Sequence, residues 1–178
     1  MAQILTRTAD LSAGTGRELY GIAVPFGQIA EVRDGFGQSY RESFAPGSMT
    51  RTLQERSAKL RLYVGHDTRK MPVAVLSNAE ERADGLHVSF ELAKTAAADE
   101  VLELARAGAV DFSVGFSPVR QRNDNGVTVR TEVILREISV VGMPAYPGAT
   151  VQGVRSAQNN PTLSVAEARN RLALIALY

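Results

Sequence analysis

The sequence predicts a mainly β protein with a few helices packed outside an antiparallel sheet or small barrel. Three observations carry that expectation. Short segments such as "VDFSVGFSP" (Val110 to Pro118) and "GLHVSFEL" place apolar residues at every second position, the signature of a half-buried strand. Adjacent segments are joined by hairpin signals at Asp84-Gly85 and Asn125-Gly126. Helical patterns are few and lie between or after the strands.

In chain order, "ELYGIAVPF" from Glu18 to Phe26 reads as a first strand, with Pro25 marking an edge or an end. The Gly-rich loop "DGFGQSY" comes next, then "RESFAPGSMTRTLQER", where Ser48 is expected to cap a short helix carrying Met49 and Leu53. In "KLRLYVGHD", Leu60, Leu62, Val64 and His66 share one strand face. "MPVAVLSNAEERADGLHVSFEL" reads as a hairpin. The clearest helix is "KTAAADEVLELARAGAV", with Thr95 as N-cap, Asp99 and Glu100 near its positive end, and Gly108 as its stop. Two strands then flank Asn125-Gly126 and run into "GMPAYPGA", whose prolines and glycines forbid regular structure. After a polar stretch, "SVAEARNRLALIALY" opens a terminal helix with the capping-box spacing Ser164-x-x-Glu167.

The 178 residues suit one domain with an appended tail, and 44% hydrophobic with 22% charged residues is an ordinary globular balance. Residues 1–152 are read as the domain, and 153–178 as a polar linker and C-terminal helix. There is no cysteine, which excludes disulfides, thiol nucleophiles and Cys-ligated metals. A net charge of +1 and 6% aromatics, with no basic stripe, argue against nucleic acid as a partner. No apolar run approaches the ~18 residues of a membrane span. The start "MAQILTRTADL" lacks a signal-peptide layout, so a soluble intracellular protein is expected. No histidine pair, acidic ladder or phosphate-binding glycine loop is readable, so neither a metal nor another cofactor is expected.

The chain has two histidines. His87 alternates with the apolar face of its strand and is expected to be solvated. His66 continues the Leu60, Leu62, Val64 face, which sends its imidazole toward the interior at a strand end. There it is either a satisfied core histidine or a general base. A serine hydroxyl needs such a base to become a nucleophile. Ser113 is the candidate because the flanking Gly115 and the small-residue face leave space around it. A third group would accept the remaining imidazole N–H. Glu137, among Leu135, Ile138, Val140 and Val141, would be costly to bury unpaired. Its ordinary alternative is a rim carboxylate paired with Arg136 or Arg130. Asp111 and Asp67 are rival acceptors.

The ordered set "GIAVPF", "ESFAPGSM", "LYVGHD", "ARAGAVDFSVGF" and "LREISVVGMPAYPGA" resembles the prohead maturation proteases of tailed bacteriophages, from about Arg17 to Val151. That family is similar in fold to the herpesvirus assemblins, serine peptidases built on a β-barrel wrapped by helices. The resemblance therefore implies an assemblin-like antiparallel β-barrel. It implies His66 of "GHD" as base, Ser113 of "SVGF" as nucleophile and Glu137 as the acidic third member. It also implies an oxyanion hole in "GMPAYPG". Pro144 and Pro147 have no N–H, which leaves Ala145 and Tyr146 as donors. The serine is flanked here by Phe112 and Val114, where many relatives carry Met and Phe.

In function, the resemblance implies a serine endopeptidase acting inside an assembling prohead in the host cytoplasm. Its partners would be the major capsid protein, with its scaffolding segment, or a separate scaffold protein. Self-cleavage in "VRSAQNNPT" and a homodimer or higher homo-oligomer are further implications. Two other readings stand beside it. One is a non-enzymatic module of the head that docks through Leu163, Val165, Leu172, Leu174 and Ile175 of the tail helix. The other is a small-molecule esterase using the same three groups.

Overall fold

Alternation, caps and turn residues act locally, and most of the strands they specify form in the computed structural model, which describes residues 16–33 and 38–155. The elements run β1 (Glu18–Pro25), β2 (Ala30–Arg33), β3 (Ser39–Phe44), α1 (Thr50–Arg56), β4 (Arg61–Val64), β5 (Ala74–Arg82) and β6 (Gly85–Leu92). They continue as α2 (Ala96–Arg106), β7 (Asp111–Asp124), β8 (Val127–Val141) and β9 (Thr150–Arg155). The class is mainly β with few helices, as expected.

Both hairpin signals hold. β5 and β6 pair from Arg82↔Gly85 inward, and β7 and β8 meet across Asn125 and Gly126, at φ 51° and 78°. Consecutive positive φ values are what a two-residue turn matched to strand twist requires. In α2 the Thr95 side chain accepts the Ala98 N–H at 3.3 Å, while Ala98, Val101, Leu102 and Ala105 are buried on one face. Removing this cap with Thr95→Ala is expected to cost about 1 kcal/mol, read as a lower urea midpoint with unchanged slope.

The sheet departs from the expected barrel. Its order is β2-β3-β8-β4-β5-β6-β1-β9, with β7 on the other side of β8, and it is not closed. Nor is it wholly antiparallel. β3 runs parallel to the start of β8 (Arg41↔Val127), and β4 runs parallel to its end (Leu62↔Ile138). The reason is the helical crossover between β3 and β4, which lets both strands run in one direction along the same partner. α1 fills the gap between them. The buried Thr52 hydroxyl donates to the Val133 carbonyl at 3.1 Å and accepts the Leu135 N–H at 3.0 Å, taking the place of a missing strand.

Further expectations need correction. Ser48 does not cap α1: its hydroxyl is buried 3.4 Å from the Met49 sulfur. Glu81 of β5 takes that role, accepting the Met49 N–H at 2.9 Å and the Thr50 hydroxyl. β2 and β3 are not among the strands expected: "AEVR" alternates over only four residues, and "SYRESF" does not alternate cleanly. β4 ends at Val64, so His66 does not prolong its inward face. Gly65 and His66 both take φ 61° and turn the chain off the strand. β9 continues to Arg155, so residues 153–155 are part of the sheet. The remaining linker and the C-terminal helix expected near Ser164 lie outside the described residues.

Phe44, Phe90 and Phe112 are fully buried at the centre of the core, with Phe90 and Phe112 rings 6.0 Å apart. Phe112 anchors β7 one residue before Ser113.

Candidate active site

The site is built on β7, β8 and the turn after β4. In the β7–β8 ladder, Ser113 lies opposite Ser139 and Gly115 opposite Glu137. Directly opposed residues share a face of the sheet. Ser113, Gly115, Glu137 and Ser139 therefore point the same way. On the far edge of β8, Val64 pairs with Val140, and the Gly65 N–H donates to the Val140 carbonyl at 3.0 Å. From that anchor the left-handed Gly65-His66 step swings the imidazole back over β8. A histidine at positive φ is uncommon and is held there only by its surroundings.

The result is a continuous hydrogen-bonded chain. His66 Nε2 lies 3.0 Å from Ser113 Oγ, and His66 Nδ1 lies 2.7 Å from Glu137 Oε1. The imidazole is 42% exposed while the Glu137 side chain is 7% exposed, so the chain runs from the surface into the interior. A carboxylate on Nδ1 selects the tautomer with its proton there and leaves the Nε2 lone pair facing the serine.

The competing acceptors are committed elsewhere. Asp67 binds Arg69 at 2.9 Å, which holds its carboxyl below the usual carboxylate range. Asp111 accepts the Val151 N–H at 3.2 Å. The arginines proposed as rim partners for Glu137 are engaged too. Arg136 donates to Ser117 at 2.9 Å, and Arg130 binds Glu42 at 2.6 Å. His87 pairs with Asp84 at 2.8 Å in the β5–β6 turn.

Gly115 matters for a different reason from the one the alternation suggested. A Cβ there would overlap Glu137 Oε1 and lie 3.1 Å from its carboxyl carbon. The glycine makes room for the carboxylate, not for a substrate beside the serine. A β-bulge between Gly115 and Phe116 then bends β7 as it leaves the site.

A cavity of about 160 Å³ opens beside Ser113. Val114 and Phe116, expected on a buried strand face, line it together with Ala145 and Tyr146 of the loop after β8. Its floor is polar and fully paired. Buried Glu42 receives Arg130 at 2.6 Å, the Tyr40 hydroxyl at 3.1 Å and the Tyr146 hydroxyl at 2.8 Å. Burial and the Glu42 charge push the Tyr146 hydroxyl far above its ordinary pKa, so it remains a donor and ties its loop to β3. Tyr146→Phe leaves one Glu42 oxygen short of a donor and is expected to destabilise the fold by about 2 kcal/mol in urea unfolding.

Glu42, Tyr40 and Ser139 are not singled out by the sequence. Ser139 has a weak signal in "EISVV", as the residue two positions past Glu137 and hence on the same strand face. Glu42 and Arg130 have no such local signal, since they are 88 residues apart.

Comparison with known proteins identifies the chain's family. The family model described as caudovirus prohead serine protease matches residues 3–163. The chain is 25% identical to the prohead protease of Enterobacteria phage HK97 over 158 residues, covering 86% of this chain and 68% of that protein. Among solved structures, the bacteriophage T4 capsid assembly protease aligns over 74% of this chain and 100% of its own, at 10% identity and a TM-score of 0.41. With the family model spanning nearly all of the chain, it belongs to the caudovirus prohead serine proteases, and it is a protease.

Proposed function

We propose that the chain is a serine endopeptidase of phage head maturation, with Ser113 as nucleophile, His66 as general base and Glu137 as the group that orients and charge-balances the imidazole. The observation that carries this reading is the chain Ser113 Oγ to His66 Nε2 at 3.0 Å and His66 Nδ1 to Glu137 Oε1 at 2.7 Å. Ser113 Oγ bonds to the scissile carbonyl carbon as its proton passes to His66 Nε2. The carbonyl oxygen becomes an oxyanion, and the N–H groups of Ala145 and Tyr146 on the cavity wall are the proposed donors to it. Such a donor is worth about 3 kcal/mol of barrier. His66 then returns the proton to the departing amine, leaving an acyl-Ser113. Water, deprotonated by His66, attacks that ester; the acyl–Oγ bond breaks, the acid is released, and His66 returns the proton to Ser113 Oγ.

The substrates we propose are scaffolding segments of the capsid protein or a separate scaffold protein, met inside the prohead, together with the chain's own linker after Arg155. The family, and the relative in phage HK97 known as its prohead protease, support this choice. A binding module would need no such hydrogen-bonded chain, so the enzymatic reading is preferred. The test mixes the full chain with the phage's unprocessed capsid or scaffold protein and follows the products by mass. Wild type should shorten the substrate and Ser113→Ala should leave it intact. Equal cleavage by both would sink the assignment.

A further inference from the structure

We infer that Ser139 is a positioning residue for the reaction, one that locks both the carboxylate and the backbone of the proposed base; this rests on the serine-peptidase reading above. Ser139 is fully buried near the C-terminal end of β8, opposite Ser113 on β7 and opposite Tyr63 on β4. Its hydroxyl donates to Glu137 Oε2 at 2.6 Å and accepts the His66 backbone N–H at 3.2 Å.

The direction of these bonds is forced. A backbone N–H can only donate, so Ser139 Oγ must accept from His66. An ionised carboxylate can only accept, so the single Ser139 proton must point at Glu137. With Oε2 held there, Oε1 is the oxygen left for His66 Nδ1–H. One hydroxyl therefore fixes the rotation of the carboxylate. The same oxygen holds the His66 backbone at its positive φ of 61°, a conformation that needs external restraint. Ser139 Oγ bonds to Glu137 and His66, not to Ser113, and does not line the cavity beside Ser113. It acts through Glu137 and His66.

The test uses the full chain and a fluorophosphonate probe, with modification followed by intact mass. Ser113 Oγ displaces fluoride at phosphorus while His66 Nε2 takes the proton, so no protein substrate is needed. Ser139→Ala is expected to slow labelling at saturating probe by about 10- to 100-fold, the range for a displaced catalytic group. The half-saturating probe concentration should stay within about threefold of wild type, because the probe's binding site is untouched. Ser139→Thr keeps the hydroxyl and should label at close to the wild-type rate. Ser139→Val has the same shape as the threonine variant without the hydroxyl and should fall with the alanine variant.

In a Glu137→Gln background, Ser139→Ala should slow labelling much less than it does in wild type, since coupled residues are non-additive. Three results would overturn the proposal: Thr and Val variants behaving alike, an equal loss in both backgrounds, or losses that track unfolded chain in all three variants. Wild type that does not label, or labels no faster than His66→Ala, would instead remove the serine-peptidase reading itself.

Discussion

His66→Ala is expected to lower kcat/KM by about 10⁴-fold or more, with a stability loss of about 1–3 kcal/mol as buried Glu137 Oε1 gives up its donor. Without the imidazole, the Ser113 hydroxyl keeps its proton at neutral pH and loses the partner 3.0 Å away that would take it. The stability cost is limited because the His66 side chain is 42% exposed, so water reaches the Glu137 carboxylate once the imidazole is gone. A second comparison separates chemistry from backbone. His66 sits at φ 61°, which costs a residue with a Cβ about 1 kcal/mol. His66→Gly should therefore be more stable than His66→Ala by about that amount while being equally inactive. Combining His66→Ala with Ser113→Ala should lower activity no further than either alone, because the two groups act as a unit. Activity within tenfold of wild type for His66→Ala would refute the assignment of the base.

Gly115→Ala carries the second large effect, and it comes from a methyl group that touches no substrate. The new Cβ must enter the volume held by Glu137 Oε1, with backbone of β7 and β8 paired on both sides of the contact. Either the carboxylate moves off His66 Nδ1 or the two strands spread. A displacement of about 1 Å in a catalytic array costs roughly 10²-fold in rate. Overpacking of this kind also costs about 1–3 kcal/mol of stability. Ser117→Ala, on the same strand but bonded to Arg136, is the matched control and should stay within about twofold in rate. A Gly115→Ala chain with wild-type kinetics would mean that Glu137 does not orient the base.

The parts of the molecule legible in sequence are those whose causes are local. Thr95 caps α2 through its own side chain three residues away, and Asn125-Gly126 supplies the two positive φ values of a tight turn. The β5–β6 hairpin arises from alternation on either side of Asp84-Gly85. Local causes lose where a distant group intervenes. Glu81 of β5 displaces Ser48 at the start of α1, and α1 in turn places β3 and β4 along one edge of β8. Strand alternation points to His66 as an inward-facing residue, yet that strand stops at Val64 and a left-handed turn delivers the imidazole instead.

By itself, then, the sequence determined the β-rich class, the two hairpins and α2. It also offered a short set of chemical candidates: Ser113, His66 and Glu137, with Asp67 and Asp111 as rivals. Alternation, capping and turn preference span only a few residues, so one strand is enough to express them. Only the tertiary structure decided among the acceptors, assigned Gly115 to the carboxylate, brought Ser139 under both Glu137 and His66, and paired Glu42 with Arg130. Those outcomes depend on the register of β7 and β4 against β8. That register is set by side chains packing across the whole sheet, where a slip of one residue would turn every one of these groups to the opposite face.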